Sequence, residues 1–126
     1  MSKSELVAQS YVFGKEIDAL ADNLYRRHEY YISDQIRRSA YSVGANIREA
    51  QFAESLRDFT HKLSISLKEA DETLYWLNML RESHKISDEK FVELRKACVS
   101  IFLMLRSAVN TSRKKINRRS HHYSAA

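Results

Sequence analysis

The sequence predicts an all-α protein, an antiparallel up-down-up-down four-helix bundle, and three observations carry that prediction. The chain of 126 residues holds no proline and two glycines, too little turn chemistry for a many-stranded sandwich or barrel. Its apolar residues recur at steps of three and four along four stretches, the period of a helix and not of a strand. Only a few polar residues separate the stretches, which sets sequential helices side by side and antiparallel. The length suits one domain around one core.

Each element follows from its own pattern. Leu6, Phe13, Ile17, Leu20 and Leu24 form one stripe, and Ser4 is a suitable N-cap, so the first helix spans about Ser4 to Arg27. His28 to Ile32 interrupts the period, and Ser33-Asp34 supplies the cap from which a second helix is expected to start. Its stripe, Ile36, Ala40, Val43, Ile47 and Ala50, is built of small and branched side chains that permit close helix approach, and it ends near Phe52 or Ala53. After Glu54-Ser55 comes a long third helix on Leu56, Phe59, Leu63, Leu67, Ala70, Leu74 and Leu77. Ser83 to Ile86 forms the third connection. Ser87-Asp88-Glu89-Lys90 caps a fourth helix and places acids at its positive end. That helix carries Phe91, Leu94, Cys98, Ile101, Leu105 and Ala108 on its apolar line. The expected division is a bundle domain over residues 1–116 and a basic, disordered tail over 117–126.

Charge is unevenly placed. The chain has 21 Lys+Arg against 16 Asp+Glu, and Arg113, Lys114, Lys115, Arg118 and Arg119 stand in a segment without acids. The preceding residues are balanced in charge. Such a cationic segment can neutralise phosphates by releasing counterions, which gives sequence-independent and salt-sensitive affinity for RNA or DNA. The competing reading is a solubilising terminus that also favours the negative end of the fourth helix.

Several other classes are excluded or disfavoured. The longest uncharged stretches, Leu6 to Gly14 and Ala97 to Leu105, fall far short of the roughly 20 residues a membrane helix needs. The N-terminal residues lack the pattern of a secretory signal, and a single cysteine, Cys98, sits among apolar neighbours, so the expectation is a reduced, cytoplasmic protein. A di-metal bundle site needs repeated Glu-x-x-His steps. Only Asp58-Phe59-Thr60-His61 has that spacing, with Asp in place of Glu, and it occurs once. His61 near Ser64 offers no sharp turn to present a nucleophile. Neither an enzymatic activity nor a cofactor or metal is expected.

Two further lines stand out. Ile65, Trp76 and Met79 on the third helix, and Val92, Val99 and Leu103 on the fourth, form a second apolar stripe that one bundle core would not accommodate. They are the expected interface of a homo-oligomer. On the second helix, Ser39, Ser42, Asn46 and Glu49 form a polar line beside the core, with Asn46 expected nearest the interior and fixing register. With Arg38, the same Asn46 and Glu49 could instead build a small ligand site.

Around these residues the chain is similar to a known family. Gln35 to Ala50, with Arg38-Ser39, Ser42 and Asn46-Ile47-x-Glu49 at its centre, and Asp58 to Leu77 together resemble the four helix bundle protein family, also called 23S rRNA intervening sequence proteins. The resemblance runs from about Tyr11 to Arg113. It implies an antiparallel bundle assembling as a homopentamer in bacteria, without an established enzymatic activity. The fold also resembles accessory proteins of diversity-generating retroelements, in which a basic pentamer works with a reverse transcriptase. Ala50 stands where the family often has glycine, and the first connection lacks a proline that many members carry. The expected function is thus a non-enzymatic, oligomeric, nucleic-acid-binding bundle. The alternative is a protein-interaction scaffold, such as an accessory factor to a nucleic-acid enzyme.

Overall fold

The computed structural model describes residues 3–125, with the side chains of residues 5–121. Its described residues form four helices: α1 Lys3–Arg26, α2 Tyr30–Ala50, α3 Leu56–Glu82 and α4 Asp88–Ala125. Contacts between consecutive helices run in opposite directions along the chain. From α2 to α1, Ser33 donates to the Ala21 carbonyl at 2.7 Å, while the α-carbon of Gly44, eleven residues on, faces the backbone of Ser10. From α2 to α3, Ser39 meets Thr73 at 2.8 Å and the Val43 carbonyl accepts from Ser66 at 2.8 Å. From α4 to α3, Cys98 approaches the Ala70 carbonyl and Arg113 reaches Ser64. Each consecutive pair is therefore antiparallel.

The core is the set of stripes the periodicity defines, including Phe13, Ile17, Leu24, Ile36, Ile47, Leu63, Leu77, Leu94, Ile101 and Leu105, all fully buried. On α3 the buried line is rotated from the purely apolar one. Leu67 and Leu74 are only half-buried, and Thr60, Ser66 and Thr73 take core positions. These hydroxyls bond backbone carbonyls in their own helix or in α2, so their burial leaves no polar atom unpaired. Burial pushes the Cys98 thiol up to about 12, with the charge of Asp71 adding to it, so the group is an inert core residue.

Two expected boundaries differ. α2 begins at Tyr30 and not after Ser33-Asp34, because Ser33 is buried and spends its hydroxyl on the Ala21 carbonyl of α1. The chain reverses instead through His28, held at φ 64°. α4 continues as helix through residues 117–125, where a disordered tail is expected. No glycine or proline interrupts it, and Lys and Arg are good helix formers.

α1 and α3 end alike. His28 and His84, at φ 64° and 57°, occupy the left-handed position where glycine is usual. The Glu29 amide donates back to Leu24 and the His28 amide to Tyr25; Lys85 and His84 repeat the pattern on Leu80 and Arg81. The two reversals are also tied together. Arg27 donates to the Lys85 carbonyl at 2.9 Å, and the Lys85 ammonium pairs with Glu29 at 2.8 Å. Ser55 and Ser87 cap α3 and α4 by accepting from the Asp58 and Lys90 amides, the second as its sequence position predicts.

Candidate nucleic-acid interface

α4 is the longest helix, at 38 residues, and it outruns its neighbours. Ile116 lies beside Leu56, the first residue of α3, so the residues after it project past the bundle. Half-buried Ile116 is the apolar anchor of this stretch. Arg113, Lys114, Lys115, Arg118 and Arg119 are all exposed. At about 100° per residue, Lys114 and Arg118 share one direction and Lys115 and Arg119 another, with Arg113 on a third. Lys114 and Arg118 thus turn away from α3, while Arg113 and Arg119 flank Ile116 on either side and reach the α3 surface. None of the ion pairs among the described residues involves them; Arg113 donates only a long hydrogen bond to Ser64, at 3.4 Å.

The structure adds a cation that sequence reasoning does not find. Arg57, at the start of α3, shares with Arg119 a cleft of about 280 Å³ that also includes Ser55, Leu56, Ile116 and Ser120. Arg57 lies 62 positions from Arg119 in the chain, and only the antiparallel course of α4 joins them. Lys62 lies five residues further along α3, where it pairs with Glu49 at 3.7 Å.

The expected interface residues fall on two separate flanks. Ile65, Trp76 and Met79 lie on the side of α3 that faces α2, on the line of Glu69 and Glu72, both of which bind Arg38 of α2. Ile65 and Trp76 are half-buried and Met79 is exposed. Trp76 stands between Tyr31 of α2, at 6.2 Å between ring centroids, and Tyr75, at 4.9 Å. Its indole nitrogen is buried without a hydrogen-bond partner. On α4, Ala97 and Ser100 line the groove toward α1, and Val92, Val99 and Leu103 occupy the opposite flank. Val92 and Leu103 are exposed and Val99 is half-buried.

The polar line of α2 does not converge on a site. Asn46 is half-buried and donates to the Ser42 carbonyl at 2.9 Å and to its hydroxyl at 3.0 Å. Glu49 is exposed and pairs with Lys62, and Arg38 is held by Glu69 and Glu72. Ser39, not Asn46, is the residue nearest the interior, through its bond to Thr73. Asp58 is spent on the α3 cap region, where it accepts from the Glu54 amide. No group of three metal-ligating side chains occurs among the described residues, and no helix formed by them is long and apolar enough to cross a membrane.

The fold and the charge distribution define a small all-α four-helix protein with a cationic end. The family described as 23S rRNA-intervening sequence protein matches residues 2–107, and the chain belongs to that family. Among solved structures, it is similar to a protein with unknown function from the S23 ribosomal protein family of Bacteroides thetaiotaomicron. That likeness has 38% identity and a TM-score of 0.80, and covers 82% of this chain and 97% of the other. No curated protein matches the chain at a significant level.

Proposed function

We propose that this protein is a non-enzymatic, self-associating helical bundle that binds nucleic acid through the projecting end of α4. One observation carries the reading. Five exposed cations stand on the last turns of α4, Arg118 and Arg119 on the part that runs past its neighbours, a sixth, Arg57, shares a cleft with Arg119, and the segment itself contains no acid. Such an end offers phosphates several contacts at once without any demand on base sequence. Self-association would gather several such ends and multiply their effective affinity. The exposed side chains Met79, Val92 and Leu103 and the Tyr31–Trp76–Tyr75 cluster support it.

Removal of residues 113–126 is expected to abolish binding to an RNA or DNA oligonucleotide, and the part of the affinity that disappears should be the salt-sensitive part. Retention of full affinity would refute the reading. The Trp76→Glu, Leu103→Glu double variant should sediment as a smaller species; an unchanged mass would count against these flanks. The aromatic cluster also favours a second reading, a protein-interaction scaffold. A partner would then be retained whether or not residues 113–126 are present.

A further inference from the structure

On the outer side of α1 and α2 lies a groove of about 490 Å³, in the size range of ligand sites. Tyr11 and Tyr41, 67% and 51% exposed, are its aromatic lining residues, one from each helix. Tyr41 is held in place because its hydroxyl donates to Asp18, and Asp18 is in turn held by Arg37, whose Nε lies 2.9 Å away. The Asp18 charge is thereby matched within the protein. The two cations that line the groove, Lys15 and Arg48, are exposed and belong to none of the ion pairs among the described residues. Lys15 lies over the Tyr11 ring at 5.8 Å. The groove therefore offers two exposed aromatic rings, one of them shared with the Lys15 ammonium, and two positive charges that pair with no carboxylate among the described residues.

Gly14 also lines the groove. A glycine inside a helix costs about 1 kcal/mol relative to alanine, and it is usually kept where a neighbour presses on the backbone. At Gly14 nothing does: an added Cβ would meet no atom within 4 Å. Packing does not require this glycine, and a side chain here would stand in the groove. The groove also points the right way for a chain molecule. Arg48 and Val7 mark the end of it where α1 begins and α2 finishes, which is the end of the bundle from which α4 projects.

We infer that the α1–α2 groove is a stacking site for unpaired bases of single-stranded nucleic acid, with Tyr11 and Tyr41 as the platforms and Lys15 and Arg48 on the flanking phosphates. Aromatic rings take any base because every base has a π-face, and the cations follow the backbone. The inference rests on the proposed nucleic-acid function, and it adds a preference that the α4 cations cannot supply, since phosphate contacts do not distinguish a base-bearing strand from a bare backbone.

The probes are a short oligothymidylate and an abasic strand of the same length. The natural chain should bind the thymidylate about tenfold or more tightly than the abasic strand. Gly14→Leu should erase that difference while leaving the thermal midpoint unchanged or higher, because it fills the groove and removes a helix glycine. Tyr11→Ala with Tyr41→Ala should erase it too, and Tyr11→Phe should keep it. Equal binding of the two strands by the natural chain, or a preference that survives Gly14→Leu, overturns the inference and leaves the α4 reading standing. Charge reversal of α4 should weaken both strands and keep their ratio. An unaltered affinity there, with the preference intact, instead removes the α4 reading alone, and no binding of either strand removes both.

Discussion

At the end where α1 passes into α2 and α3 into α4, each reversal closes on its own helix and the two are bonded to each other. Lys85 and Glu29 cancel in charge there, and Arg27 caps a carbonyl. At the opposite end α4 runs past α3 with Arg113, Lys114, Lys115, Arg118 and Arg119 exposed and without acids in their own segment. One end spends its polar groups inside the fold; the other leaves its cations available. The positive charge at the open end is therefore surplus to what the bundle needs for stability.

Stability measurements put that contrast at risk. The largest effect is expected from Leu80→Ala at the closed end. Leu80 is fully buried and its carbonyl receives the Lys85 amide, so the truncation should cost about 2–5 kcal/mol in denaturant unfolding. The matching truncation at the open end, Ile116→Ala, should cost less than about 1.5 kcal/mol because Ile116 is only half-buried. Equal costs would mean that the α4 extension is as much a part of the core as the closed end. A smaller change of opposite sign is expected from His84→Gly. Relieving the left-handed conformation at φ 57° should stabilise the chain by about 1 kcal/mol, read as a higher thermal midpoint.

Much of this was legible in the sequence. The apolar stripes of α1, α2 and α4, and the Ser87 cap, follow from periodicity and capping chemistry alone. The start of α2 was not, because the same serine chemistry that caps a helix can also bond across to a neighbouring one, as Ser33 does. The rotated core face of α3 was hidden because Ser66 and Thr73 count as polar in any pattern, although a hydroxyl bonded to a carbonyl is readily buried. Histidine enters the left-handed region more readily than most side chains but far less often than glycine, so neither chain reversal announced its geometry. The five cations of α4 were readable as a charge run, but the helical presentation of Arg118 and Arg119 was not, since polar composition alone resembles a disordered tail. Arg57 and the Tyr11–Tyr41 groove needed the tertiary structure, which brings together residues far apart in the chain.

The proposed binding requires that cations at one particular end, and not net charge, hold phosphate. Two double variants of equal charge change decide the matter: Lys115→Glu with Arg118→Glu at the open end, and Arg26→Glu with Lys90→Glu at the closed end. The quantity to measure is the slope of log affinity against log salt for one single-stranded oligonucleotide. The open-end pair should flatten the slope by about 0.7 for each phosphate no longer neutralised, and the closed-end pair should leave it close to that of the natural chain. Equal flattening by both pairs would contradict the assignment of binding to α4.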